Sequence, residues 1–187
     1  GLVSSTLHAT LRPGSQVSLH APAGAFTYPD SDDRPLLLLA GGIGITPVLS
    51  MLRHAVTAEP TRPVALLYSA RTEDALAFRR DLALIGARHP HVKIVLASSQ
   101  AADPYVYPGR IDESLIRTTV PEFANAVAMI CGPQSMIDAI RALLIQMGMP
   151  SAQVRSEVFE AAVAATAGKP ARATEDDEDS ASGQGHR

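Results

Sequence analysis

The chain has 187 residues, 46% of them hydrophobic and 19% charged, which fits one globular domain with part of a second. Lys and Arg number 16 against 19 Asp and Glu, a net charge of −3 that excludes a strongly basic nucleic-acid binder. A single cysteine excludes a disulfide framework, a cysteine-based zinc site and an all-cysteine iron–sulfur cluster within these residues.

The first thirty residues read differently from the rest. Residues 4–11 (SSTLHATL) predict one or two helical turns capped by Ser4 or Ser5. RPGS at 12–15 is a turn, and residues 16–21 (QVSLHA) alternate like an antiparallel strand. PAGAF and a polar linker over 28–34 follow. This stretch is expected to be the tail of a preceding β domain whose earlier strands are absent. A chain that starts at Gly1 instead of Met fits an upstream part cut or lost.

Five short apolar runs follow, each of strand length: residues 35–40 (PLLLLA), 64–69 (VALLYS), 92–97 (VKIVLA), 126–131 (AVAMIC) and 154–159 (VRSEVF). Stretches at helical spacing separate them, over 47–58, 73–86, 112–118 and 134–147. In the last, Met136, Ile137, Ile140, Leu143, Leu144 and Met147 make one apolar face, stopped by Gly148. Strand and helix in alternation predict an α/β domain over 31–162, a doubly wound five-stranded parallel sheet. A remnant of an antiparallel β-barrel precedes it over 1–30. Residues 163–187 hold an acidic run, small polar residues and no apolar period. They are expected to be a disordered tail.

The strongest local signal is AGGIGITP at 40–47, between a buried strand and a helix. In a doubly wound sheet that place binds anionic ligands. Gly41, Gly42 and Gly44 permit positive φ and let a ligand approach bare backbone. Thr46 is read as the N-cap and Pro47 as the first helical residue. A helix N-terminus so arranged favours a pyrophosphate; the alternative is a plain tight turn. The spacing departs from G-x-G-x-x-G, with Pro47 in place of the third glycine. No carboxylate ends the second strand, where Ser69, Ala70 and Arg71 stand instead. CGPQSM at 131–136 repeats the pattern of strand end, glycine and helix start, on the same rim of a parallel sheet. Cys131 is either a small polarisable wall or a buried structural cysteine. The six histidines form no ligand set, and no metal is expected.

Taken in order, GLVSSTLH, PAGAF, LLLLAGGIGITPVLSML, LLYSARTEDALAFRRDL, PGRID, CGPQSMIDAIRALLIQMG and SEVF resemble the nicotinamide-nucleotide-binding half of the ferredoxin–NADP reductase superfamily. The likeness is greatest to the reductase portion of flavohaemoglobins (nitric oxide dioxygenases) and to related oxygenase reductases. It implies NAD(P)H and FAD as cofactors. Gly42, Ile43, Gly44, Ile45, Thr46 and Pro47 would lie along the nicotinamide nucleotide. Cys131 and Gly132 would sit beside its ring, with Pro133 in the same set and Met136 near the adenosine. Ser69 and Arg71 would flank the adenosine ribose. A guanidinium there can pair with a 2′-phosphate, and NADH and NADPH both stay open. Val3 and Ser4 match the segment at the flavin pyrophosphate. Glu157 and Phe159 match the terminal acidic–x–aromatic element beside the flavin ring.

The resemblance has gaps. The upstream Arg-x-Tyr/Phe-Ser flavin motif is absent, and EAAVAA follows SEVF where flavohaemoglobins have Gly-Pro. The function implied is an NAD(P)H:flavin oxidoreductase, C-terminal part, in the cytoplasm. Cys131 and Glu157 would position the rings, and a haem, an iron–sulfur partner or another acceptor would take the electrons. The alternative is a truncated nucleotide-binding fragment or scaffold without turnover.

Overall fold

Four leucines in succession, Leu36, Leu37, Leu38 and Leu39, are all buried. Side chains on a strand point alternately to its two faces, so such a run needs cover on both sides. In the computed structural model, which describes residues 2–30 and 32–159, they lie in strand β1 (Leu36–Gly41) at the centre of a sheet. Leu36 and Leu38 enter one core cluster, Leu37 and Leu39 the other. Each such side chain contributes roughly 1.5–3 kcal/mol by leaving water.

Helix α1 (Leu2–Thr10) precedes β1. Then come α2 (Ile45–Ala58), β2 (Val64–Ala70), α3 (Arg79–Arg88), β3 (Val92–Ser98) and β4 (Tyr107–Pro108). Helix α4 (Glu113–Thr119), β5 (Val127–Gly132), α5 (Gln134–Gln146) and β6 (Val154–Val158) complete the order. The sheet runs β4-β3-β2-β1-β5-β6, with every pair parallel. Val48, Leu49 and Leu52 of α2 and Leu82 of α3 cover one face. Leu115 and Ile116 of α4 and Ile137, Ile140 and Leu144 of α5 cover the other. The chain leaves β1 toward β2 and later returns to β1's other side as β5. The order therefore reverses at β1, and a crevice opens between the C-terminal ends of β1 and β5.

The five predicted strands are present, and β4 adds a sixth. It is two residues long, pairs only with Ala97 and Ser98, and leaves no periodic trace in the sequence. The helix predicted over 73–86 is broken. A single 3-10 turn at Glu73–Ala75 is followed by extended backbone at Leu76 and a left-handed Phe78, φ 61°. The buried Tyr68 causes the break. Its hydroxyl donates to the Ala75 carbonyl at 3.3 Å and accepts from the Ala77 amide at 3.1 Å, groups a continuous helix would use itself.

The N-terminal expectations need correction. Helix α1 starts at Leu2, so Ser4 and Ser5 lie inside it and neither is its cap. Residues 16–21 are not a strand, because no described strand pairs with them. All described residues from 2 to 25 are exposed. The tail expected over 163–187 lies outside the described residues.

Helix α5 ends in a paired stop. Gly148, φ +106°, donates to the Ile145 carbonyl at 3.0 Å, and Met149 donates to Leu144 at 2.9 Å while burying its own side chain. Nothing lies within 4 Å of where a Cβ on Gly148 would be, so only backbone strain opposes a side chain there. Gly148→Ala is expected to lower stability by about 1–2 kcal/mol. Urea unfolding should show a lower midpoint with an unchanged slope; an unchanged midpoint would contradict the left-handed stop.

Candidate functional site

Two loops meet at the switch point, in part backbone against backbone. The first follows β1 as a 3-10 turn, Gly42–Gly44, that runs directly into α2. The second follows β5 and enters α5 through Pro133. A Cβ on Gly44 would collide with the carbonyl of Cys131 and lie 2.7 Å from the amide of Gly132. A Cβ on Gly132 would stand 3.2 Å from the backbone of Gly41. One on Gly41 would strike the sulfur of Met136 and sit 3.2 Å from Pro133 Cδ. At 44 and 132 backbone presses on backbone, so glycine is required at 44 and favoured at 132; at 41 the neighbours are the end of the Met136 side chain and the Pro133 ring.

Of the three glycines that permit positive φ and close approach, one adopts positive φ. Gly42 has φ +52°, with open space on its Cβ side. Gly41, φ −127°, and Gly44, φ −60°, have backbone that any residue adopts. Two expectations fail locally. Gly44, not Thr46, is the N-cap of α2, without a side-chain cap, because the preceding 3-10 turn already leads the chain into the helix. The Thr46 hydroxyl donates back to the Ile43 carbonyl at 3.0 Å. Pro47 is the third helical residue, still in the first turn where a missing N–H costs nothing. Ile43 is 58% exposed at the mouth, whereas Ile45 is buried and offers the crevice only backbone.

Strand register carries the rest of the site along one rim. Gly41 stands opposite Ser69, Ala40 opposite Cys131, Cys131 opposite Glu157, and Gly132 opposite Val158. Four neighbouring strands span roughly 14 Å at about 4.8 Å per step. Phe159 donates its amide to the Gly132 carbonyl at 2.9 Å, and both it and Glu157 are exposed. The structure thus gathers Gly42, Thr46, Ser69, Cys131, Gly132, Met136, Glu157 and Phe159 on one edge of the sheet. Val3 and Ser4 are not among them by any described packing: α1 buries none of its residues.

Cys131 is fully buried, its side chain in the core cluster under α2. Burial, and then the charge of Glu157, push its thiol from 9.0 up to about 11. A thiol so placed is neutral at physiological pH and closed to solvent, which removes any nucleophilic role.

At the far end of the rim Arg71 is exposed, and its guanidinium bonds no described residue. Its carbonyl is held twice, by the hydroxyls of Ser98 at 3.0 Å and Ser99 at 3.1 Å. The following loop is pinned by Glu73, whose carboxylate accepts from the amides of Ala102 and Asp103. Those two bonds hold its pKa below the usual carboxylate value. Arg79 ties Asp103 to the same corner at 2.8 Å. Ser98 and Ser99 stand in no motif, and Glu73 lies in the matched segment 66–82 but is not singled out by it. The signal that marks the serines is the strand end itself, since a parallel sheet puts the end of β3 on the rim that holds Gly41.

Among the described residues no group of three or more His, Cys, Asp and Glu is placed to hold a metal ion, and no helix is long and apolar enough to cross a membrane. A groove of about 370 Å³ between α3 and β3, lined by Leu82, Gly86, Ile94 and Tyr105 among others, shares only Arg79 with the Arg71 corner of the rim and none of the glycine-loop residues.

Residues 38–142 match the family "Oxidoreductase NAD-binding domain", more than half of the chain. The chain belongs to that family. It is a member of the ferredoxin–NADP reductase superfamily of α/β nucleotide-binding domains. It is 33% identical over 165 residues to a flavohemoprotein of Bordetella pertussis, covering 85% of this chain and 41% of that protein. Against a flavohemoprotein of Pseudomonas putida it is 36% identical over 169 residues, covering 88% and 42%. The chain thus spans well under half the length of the curated relatives it matches. Among solved structures it is similar to the flavohem-like FAD/NAD-binding domain of nitric oxide dioxygenase from Vibrio cholerae. That match has a TM-score of 0.75 and 26% identity, over 85% of this chain and 65% of that one. The cytochrome P450 reductase of Amycolatopsis matches with a TM-score of 0.67 and 27% identity, over 74% and 42%.

The buried thiol yields a prediction with a definite sign. Below pH 9 the thiol is neutral folded or unfolded. Between 9 and about 11 it ionises only in the unfolded chain, so its contribution to stability is lost as pH rises through that window. Native protein should resist iodoacetamide at pH 8 and react at Cys131 once unfolded, as read by mass spectrometry. Rapid alkylation of the native chain would contradict the burial.

Proposed function

We propose that this chain is the nucleotide-binding half of an NAD(P)H-dependent flavin oxidoreductase, the C-terminal part of an electron-transfer enzyme. The observation that carries this reading is the backbone-to-backbone junction at the switch point, where Gly44 meets the Cys131 carbonyl and Gly132 meets Gly41. A dinucleotide laid across two strand ends needs bare backbone and a helix N-terminus at its pyrophosphate. Both are present, and the open side of Gly42 leaves room.

In this reading residues 42–47 hold the diphosphate and the nicotinamide ribose, with Thr46 supplying a hydroxyl. Cys131, Gly132 and Pro133 form the floor beside the nicotinamide, and Glu157 and Phe159 border the ring from β6. Met136 packs toward the adenosine side, and Ser69 and Arg71 flank its ribose. When bound, NAD(P)H and FAD supply the redox chemistry, a hydride passed between their rings and electrons passed on singly. The protein contributes orientation, and no side chain here need act as acid or base. The flavohemoprotein relatives favour a haem as acceptor over an iron–sulfur partner. The reductant NAD(P)H is a cytoplasmic coenzyme, which supports placing the protein there. The chain then divides into a flavin-barrel remnant over 1–30, the NAD(P)-binding domain over 31–162 and a tail over 163–187.

One observation favours a second reading for the 187-residue chain taken alone. Val3 and Ser4 are exposed on a helix that buries nothing, so the described residues enclose no flavin pocket. That chain would bind NAD(P)H and reduce nothing. Added FAD separates the two readings, because only an enclosed flavin loses its fluorescence.

The full-length protein loaded with FAD should bleach its flavin absorbance when mixed anaerobically with NADH or NADPH. Gly44→Val should weaken nucleotide binding at least about tenfold by forcing the two loops apart. No bleaching with either coenzyme, or a Gly44→Val protein that binds normally, would contradict the proposal.

A further inference from the structure

Burial changes abruptly along the N-terminal segment. Every described residue from 2 to 25 is exposed, whereas Phe26 and Tyr28 pack against the core cluster under α2 and Pro29 is buried. The cause is one arginine. Arg62, in the turn between α2 and β2, is only 6% exposed. Its Nε donates to the Arg34 carbonyl at 2.8 Å. Its Nη1 donates to the Tyr28 hydroxyl at 3.0 Å, to Glu59 Oε2 at 2.8 Å and, more weakly, to the Pro29 carbonyl at 3.4 Å. The guanidinium also lies over the Tyr28 ring, 5.4 Å from its centre. The Tyr28 hydroxyl donates to the same Glu59 oxygen at 2.7 Å, and with its burial this raises its pKa to about 12.

Two outer ties flank this knot. Asp30 meets His54 of α2 at 3.1 Å, and the His54 ring packs edge-on against Tyr28. Asp32 holds Arg34 through two side-chain bonds. With the Gln153 amide turned so that its nitrogen faces the Ala124 and Ala126 carbonyls, its oxygen accepts from Arg34 Nη1 at 2.8 Å. The strap thus reaches α2, the turn before β2 and the turn before β6. It lies at the N-terminal ends of the strands, where Leu36 bonds Pro63 and Val127 bonds Pro35, on the rim opposite the glycine loops. Just upstream, Gly24 has φ +128° with open space on its Cβ side, a conformation that glycine alone adopts readily.

We propose that residues 26–35 form a strap locked to the nucleotide-binding body by Arg62, Tyr28 and Glu59, with the joint to the flavin-bearing part at Gly24. The three side chains are positioning residues for hydride transfer: they touch no part of the nucleotide crevice and fix the direction from which the flavin-bearing part approaches it. Burying an arginine to hold a surface segment is costly, and its partners Glu59 and Tyr28 neutralise and bond it only in this geometry. Hydride transfer is steeply sensitive to the distance and angle between two rings, so a slack strap degrades the reaction without touching the nucleotide site. This inference rests on the function proposed above.

The test uses the full-length flavin-loaded protein with Arg62→Met, Arg62→Lys and Tyr28→Phe. Hydrogen exchange in residues 26–34 should rise about tenfold or more in Arg62→Met while β1 and β5 are unchanged. The affinity for NAD(P)H should stay within about twofold, because the strap is on the far rim, while the rate of flavin reduction falls about tenfold. Tyr28→Phe should show the same pattern at smaller size, and Arg62→Lys should recover part of the rate. If Arg62→Met does not fold, these two variants decide the matter. Unchanged exchange in the strap, an unchanged rate with a loosened strap, or a parallel loss of nucleotide affinity would overturn the inference. A wild-type protein that binds no nucleotide would instead defeat the proposed function, and strap exchange would still judge the lock.

Discussion

Backbone pressed against backbone at the ends of β1 and β5 is the constraint on which the rest of the molecule depends. Gly44 sits on the Cys131 carbonyl, and Gly132 sits on Gly41. The first contact excludes a Cβ, and the second leaves one tighter than ordinary packing. They hold only because β1 and β5 are neighbours in register, and that register is set by leucines that must be buried on both faces of the sheet. Core and crevice are therefore one construction. The apolar run of β1 fixes the sheet, and the sheet brings together two loops 90 residues apart in sequence, as Gly42 and Gly132 show.

The two ends of the rim differ in chemistry. Around Cys131 the walls are buried apolar atoms and carbonyls, with a thiol held neutral. Around Arg71 the groups are hydroxyls and an exposed guanidinium, on a loop steadied by Ser98, Ser99 and the Glu73 carboxylate. An extended coenzyme with a planar ring at one end and a charged ribose at the other has the same polarity. In the proposed pose this asymmetry suits an extended nucleotide better than a compact anion.

Legibility in the sequence followed the physics of burial. Strands covered on both faces announce themselves as continuous apolar runs, as β1, β2 and β5 do, whereas β6 is exposed at every residue but Val154. Strand β4 does not announce itself, because two residues held by the Gly109-to-Ser98 bond and one short pairing carry no periodicity. The break before α3 was equally hidden. It depends on a tyrosine hydroxyl from β2 reaching the amide of Ala77, a tertiary contact that helical spacing does not record. The glycine loop was found, yet its reason was only partly read. Sequence allows positive φ or close approach at all three glycines, and the structure assigns positive φ to Gly42 and close approach to Gly41 and Gly44. Residues 16–21 alternate as a strand does, but alternation forms no ladder without a partner strand. Arg62 carried no signal at all, since a lone arginine in a turn reads as solvated until its carbonyl partners are in place.

Backbone amide shifts during titration with NADP⁺ and NAD⁺ test the switch-point crevice most directly. A crevice built from the two loops predicts the largest changes in residues 42–47 and 131–136, with smaller ones at Ser69 and Arg71. Changes centred instead on the groove between α3 and β3, or on the strap at the opposite rim, would contradict it.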